Sequence, residues 1–90
     1  MDKMIIIPIN LFKLDQEILI LNEDGSTTNF AFVDLAMLPE VIVEACGVYN
    51  TNNIRLIGNS NYAEALSNEI KEYALKNYSN KELNISIMEA

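Results

Sequence analysis

The stretches that decide the fold are MIIIPINLF at residues 4–12 and EILILNEDGSTTNFAFV at residues 17–33. The first is apolar on both faces of an extended chain, which is typical of a central strand. In the second, Asp24-Gly25 is a strong signal for a hairpin turn. We therefore predict an antiparallel meander of three strands, over residues 4–12, 17–21 and 26–33.

Helical and extended patterns alternate in the rest of the chain. Pro39 suits the first turn of a helix, and apolar residues follow it at helical spacing. Asn61, with Glu64 three residues later, resembles a capping box that starts a second helix. We predict helix one from residue 39, strand four over 54–57, helix two over 61–77 and strand five over 83–88.

The positions of the helices predict how the strands are arranged. A helix between two strands implies a crossover connection, so strands one, four and five are predicted to be parallel. The fold class is α/β, with a β-β-β-α-β-α-β mixed five-stranded sheet and two helices in a single domain over residues 1–90. Strands three and five are then the two edges, and strand one lies in the middle.

Composition limits the classes of function. The chain has 13 acidic residues against 6 basic ones, a formal net charge of -7, so nucleic acid is not an expected partner. Cys46 is the only cysteine and is expected to be buried on helix one. Small secreted domains usually carry several cysteines, so a single one argues against secretion. The apolar run over residues 4–9 is too short to span a membrane and lacks the basic start of a signal peptide. We expect a cytoplasmic protein with no membrane partner.

The order of elements resembles the minimal ribonuclease H-like fold. Residues 7–15 (IPINLFKLD) and 18–25 (ILILNEDG) also resemble the first hairpin of Holliday-junction-resolvase-like nucleases and related transposases. That family places a metal-binding Asp near the end of strand one, and this sequence has Asn10 there. The second carboxylate of the family pattern, after strand four, falls at Asn59 or Asn61.

The resemblance implies a degenerate metal site at Asn10, Asp34, Glu40 and Asn59. Phosphodiester chemistry with divalent cations needs several converging carboxylates, and two of these four side chains are neutral amides. With no histidine in the chain, a Ser-His-Asp arrangement is excluded as well. We expect no catalytic residue, no metal and no cofactor. Two alternatives stay open: a small metal-dependent nuclease or nucleotide-binding domain of the same fold, and an unrelated α/β sandwich with solvated carboxylates.

A second candidate site lies between strand four and helix two. Gly58, Asn59, Ser60 and Asn61 link a strand to a helix N-terminus, where free backbone N–H groups favour anions or other ligands. Simple capping of the helix is the alternative for the same residues.

The predicted sheet edges are the candidate interaction surfaces. Edges are usually protected by Pro, Lys or an inward-pointing charge, and neither edge strand here contains one. We expect a non-catalytic protein-interaction module that forms a two-fold homodimer through an edge. The alternative is a monomer whose edge accepts a strand of another protein. Richness in Asn and Ile is typical of an AT-rich genome, and a short acidic domain suits an accessory protein of a phage or mobile element. The expected interaction residues are Phe30, Phe32, Ile85 and Ile87.

Overall fold

Five strands and two helices follow one another in the predicted order in residues 3–78 and 82–89, which the computed structural model describes. A short 3₁₀ helix, Leu35–Met37, precedes the first helix and is not predicted from the sequence. The elements are β1 (Met4–Pro8), β2 (Asp15–Leu21), β3 (Thr27–Asp34), α1 (Leu38–Val48), β4 (Asn53–Ile57), α2 (Ser60–Tyr78) and β5 (Asn84–Met88).

The strands form one mixed sheet in the order β3-β2-β1-β4-β5. β2 pairs antiparallel with both β1 and β3, whereas β4 pairs parallel with β1 and β5. Ile5, in the central strand, is opposite Ile20 on one side and Ile54 on the other. The predicted meander, the parallel strands and the two edges are therefore confirmed.

Both helices pack on the same face of the sheet and against each other. This happens because alternate apolar residues of the inner strands all point to that face. Cys46, on α1, is fully buried in this layer, as expected. Burying each large aliphatic side chain contributes about 1.5–3 kcal/mol. The largest buried apolar side chains are Ile5, Ile7, Ile18, Ile20, Leu38, Ile42, Ile54, Leu56, Leu66 and Ile70.

The opposite face of the sheet is less well covered. In β1 the residues on this face, Met4, Ile6 and Pro8, are only partly buried. At the edge strand β3, Phe32 is 64% exposed and lies beside Glu17 of β2. An apolar face with partial cover is a common feature of surfaces that contact other proteins. No helix in the described part of the chain is long and apolar enough to cross a membrane.

A β-bulge interrupts β3, and the sequence analysis does not predict it. The register of β2 and β3 shifts between Ile18 and Leu19, which leaves Phe30 as the extra residue of β3. The Phe30 ring packs edge-to-face against Tyr49, with 5.8 Å between ring centroids. Bulges are one of the devices that hinder pairing at a sheet edge, so the β3 edge is better protected than its sequence indicates.

Candidate functional site

Three of the four expected metal-site positions lie at one end of the sheet. Asn10 and Asn59 follow the parallel neighbours β1 and β4, and the Ile9 N–H donates to the carbonyl of Ile57 at 2.8 Å. Asp34 ends β3 at the same end of the sheet, paired with Asp15. The topology therefore brings these side chains to the carboxyl end of the central strands, where α/β sheets bind ligands.

Each of these three side chains stabilises a local turn. The Oδ1 atoms of Asn10, Asn59 and Asp34 accept hydrogen bonds from backbone N–H groups two or three residues later, at 3.0, 3.1 and 3.0 Å. In residues 3–78 and 82–89, no three His, Cys, Asp or Glu side chains are grouped so that they could hold a metal ion. What the structure places at this end is a set of capping interactions.

Glu40 belongs to a different part of the molecule. It lies in the first turn of α1 and lines a cavity of about 370 Å³ between the two helices. Partial burial raises the pKa of Tyr73, and the nearby carboxylate of Glu40 raises it further. The other residues that line this cavity are Ala36, Pro39, Glu69, Glu72 and Lys76.

The expected capping residue of helix two is wrong by two positions. α2 begins at Ser60, and its cap is Asn59, whose carbonyl accepts a hydrogen bond from the Ala63 N–H at 2.9 Å. The Asn59 side chain accepts from the Tyr62 N–H, so one of the free donors of the first turn is already satisfied. Asn61 lies inside the helix and is exposed. Gly58, Asn59 and Ser60 form the connection from β4 to α2.

The four expected interaction residues do not form one surface. Phe30 is partly buried against Tyr49, and Ile85 is partly buried against the core. Phe32 and Ile87 are exposed, but they lie on β3 and β5, at opposite edges of the sheet.

The loop between β1 and β2 exposes three apolar side chains, and the sequence analysis assigned two of them, Leu11 and Phe12, to strand one. Phe12 is fully exposed, at 102%, and Leu14 is 89% exposed. They are the two most exposed large hydrophobic side chains in the described residues, and more than half of Leu11 is exposed beside them. We call residues 10–14 the anchor loop.

The anchor loop is held in place by Gln16, which is 1% exposed. Its Nε2 atom donates to the carbonyls of Asn10 and Lys13, at 2.8 and 3.0 Å, and its Oε1 atom accepts from the Asn10 N–H at 2.7 Å. The Lys13 N–H also donates to the Asn10 carbonyl. The amide of Gln16 thus uses both of its donors and its acceptor on the loop. Phe12 and Leu14 are exposed on a structured loop.

A cavity of about 380 Å³ lies between the anchor loop and the less covered face of the sheet. Its apolar walls come from Pro8, Ile57 and Phe32, while Lys13 and two carboxylates provide charges of both signs. The remaining residues that line it are Ile9, Asn10, Asp15, Gln16 and Glu17.

Sequence reasoning missed the anchor loop because LFKL at residues 11–14 looks like the continuation of a strand. The available signal was Gln16, a polar residue at a strand position that faces the core. Buried amides need hydrogen-bond partners, and the nearest are carbonyls of the preceding turn. The sequence matches no known family model and no curated protein sequence.

Proposed function

We propose that this chain is a non-catalytic protein-interaction module that works by self-association on a degenerate ribonuclease H-like scaffold. The observation that carries the proposal is the exposure of Phe12 and Leu14 on a loop that Gln16 holds in place. A flexible loop can fold its apolar side chains against the protein, but this one is fixed outward. Exposed apolar groups of this kind typically mark protein contacts.

The scaffold part of the proposal rests on the strand order and on two side chains. The order β3-β2-β1-β4-β5, with β2 antiparallel to its neighbours, agrees with the arrangement expected of that fold. Asn10 and Asn59 stand where the family pattern requires carboxylates, and both are used for capping. Neutral amides are poor substitutes for anionic ligands of hard divalent cations.

We predict no metal-dependent nuclease activity. Purified protein is incubated with single- and double-stranded DNA and RNA in the presence of Mg²⁺ or Mn²⁺, and all substrates are expected to remain intact. The matched comparison is the double variant Asn10→Asp with Asn59→Asp, which carries both carboxylates of the family pattern. Cleavage by the unmodified chain that is lost in Asp34→Ala or Glu40→Ala would support the nuclease alternative instead.

We predict a homodimer at micromolar concentration. Light scattering across a concentration series is expected to show a mass that rises from one chain to two. Strand pairing at the β5 edge is one contact that would produce this mass, and Ser86→Lys places a charge in the middle of that exposed strand. A monomer mass at every concentration would contradict self-association and would leave the β5 edge as a site for a strand of another protein.

A further inference from the structure

We infer that a second copy of this chain docks at the anchor loop, with Phe12 of each copy inserted into the cavity beside the anchor loop of the other. This inference rests on the self-association proposed above. It places the contact at the end of the central strands instead of at a sheet edge. The structure supports it through shape, size, charge and area.

The shape is self-complementary. Asn10 and Lys13 belong both to the anchor loop and to the wall of the cavity, so the projecting ring and the cavity are direct neighbours. A two-fold axis next to them would place the Phe12 ring of each copy in the cavity of the other. Contacts of this isologous kind are the commonest in homo-oligomers, and they close at two copies.

The size of the cavity suits an aromatic ring. A buried cavity of about 150 Å³ is large enough to bind benzene, and the volume beside the anchor loop is about 380 Å³. The walls from Pro8, Ile57 and Phe32 provide apolar contact, and Phe32 is itself 64% exposed. Two aromatic rings that meet in this way gain an edge-to-face or offset contact in addition to burial.

The charges around the cavity are also self-complementary. Lys13 lies on the same rim as Asp15 and Glu17. Two-fold symmetry turns Lys13 of each copy toward the carboxylates of the other. This arrangement offsets part of the repulsion between two chains that each carry a formal net charge of -7.

The apolar area available is close to the minimum for a specific interface. Two Phe12 rings bury about 300–500 Å² together, and a specific interface needs about 1,000 Å² or more in total. Leu11, Leu14 and Phe32 of both copies must supply the rest, and all three are exposed. We therefore expect association in the micromolar range, with Phe12 as its dominant residue.

The test compares Phe12→Ser with Leu75→Ser by sedimentation equilibrium. Leu75 is the matched control, because it is a large apolar residue, 66% exposed, on the outer side of α2. Phe12→Ser is expected to weaken dimerisation by about 30-fold or more, as for a hot-spot residue, and Leu75→Ser is expected to leave it unchanged. Neither variant removes a buried side chain, and circular dichroism checks that both remain folded.

A charge exchange tests the same contact independently of the ring. Lys13→Glu alone is expected to weaken the dimer, because it places like charges opposite each other. Adding Asp15→Lys to the same chain restores opposite charges and is expected to recover the affinity. A dimer that is unchanged by Phe12→Ser but dissociates in Ser86→Lys would overturn the anchor-loop contact and retain self-association. A wild-type monomer at all concentrations would overturn both.

Discussion

Gln16→Ala is expected to lower the free energy of unfolding by about 2–3 kcal/mol, because it leaves buried polar groups of the chain without partners. The side chain is 1% exposed and makes three hydrogen bonds, two to carbonyls and one to the Asn10 N–H. Urea denaturation, with the midpoint compared at constant slope, measures the change. An unchanged midpoint would mean that water replaces these bonds at no cost.

The same substitution is expected to weaken the dimer, since Gln16 is what fixes the anchor loop. Freeing residues 10–14 adds an entropic cost to binding, and Phe12 no longer projects in one direction. The dimer dissociation constant of Gln16→Ala is measured by sedimentation equilibrium over a series of protein concentrations, without urea. Gln16 is 1% exposed and also lines the cavity beside the loop, so this loss would show that it supports the contact through the loop and the cavity wall together.

Gln16→Glu is the isosteric control, and its stability is expected to depend on pH. A carboxylate at this position accepts from the Asn10 N–H but faces the carbonyl oxygens of Asn10 and Lys13 without a proton to donate. Burial and these oxygens raise the pKa of the introduced carboxyl above the ordinary value of about 4.3. The folded variant then binds more protons than the unfolded chain. Its stability is highest below about pH 4.3 and falls as the pH rises through the raised pKa. The free energy of unfolding of Gln16→Ala, measured at the same pH values, provides the comparison. The difference between the two variants isolates the titration of the introduced carboxyl.

The sheet was predictable from local patterns in the sequence. Alternation in β3 and β5, the Asp24-Gly25 turn and the helical spacing after Pro39 are all local signals. The crossover rule then set which strands are parallel. These inferences succeed because each one depends on residues that are close together in the chain.

The site was not predictable in the same way, because contacts across the fold decide it. β1 ends at Pro8, and the chain then forms a turn that Gln16 holds by bonding to the carbonyls of Asn10 and Lys13. The LFKL segment alone carries no sign of that turn. The cap of α2 shows a related limit, since Asn59, Ser60 and Asn61 are all good capping residues and the sequence does not rank them.

Gly58→Ala is expected to destabilise the fold by about 1–3 kcal/mol, because its backbone adopts a conformation that other residues rarely reach. Gly58 has φ of +153° and is buried, and its N–H donates to the carbonyl of Met88 at 3.0 Å. A Cβ at this position would lie 3.1 Å from the Cβ of Ile9, next to the anchor loop. Ile9 must therefore move by a few tenths of an ångström at the point where β4 leads into α2.

Gly47→Ala is the matched control, and its effect is expected to have the opposite sign. Gly47 lies in the α1 helix, and a Cβ there meets no atom within 4 Å. Alanine restricts the unfolded chain and favours the helix, so this variant is expected to gain about 0.4–1 kcal/mol. Urea denaturation of both single variants separates the two effects, because they add one methyl group each and differ only in backbone conformation and local space. Equal effects of the two substitutions would contradict the strained geometry at Gly58. A loss confined to Gly58→Ala would establish that the junction after β4, which contacts Ile9 at the base of the anchor loop, requires a residue without a side chain.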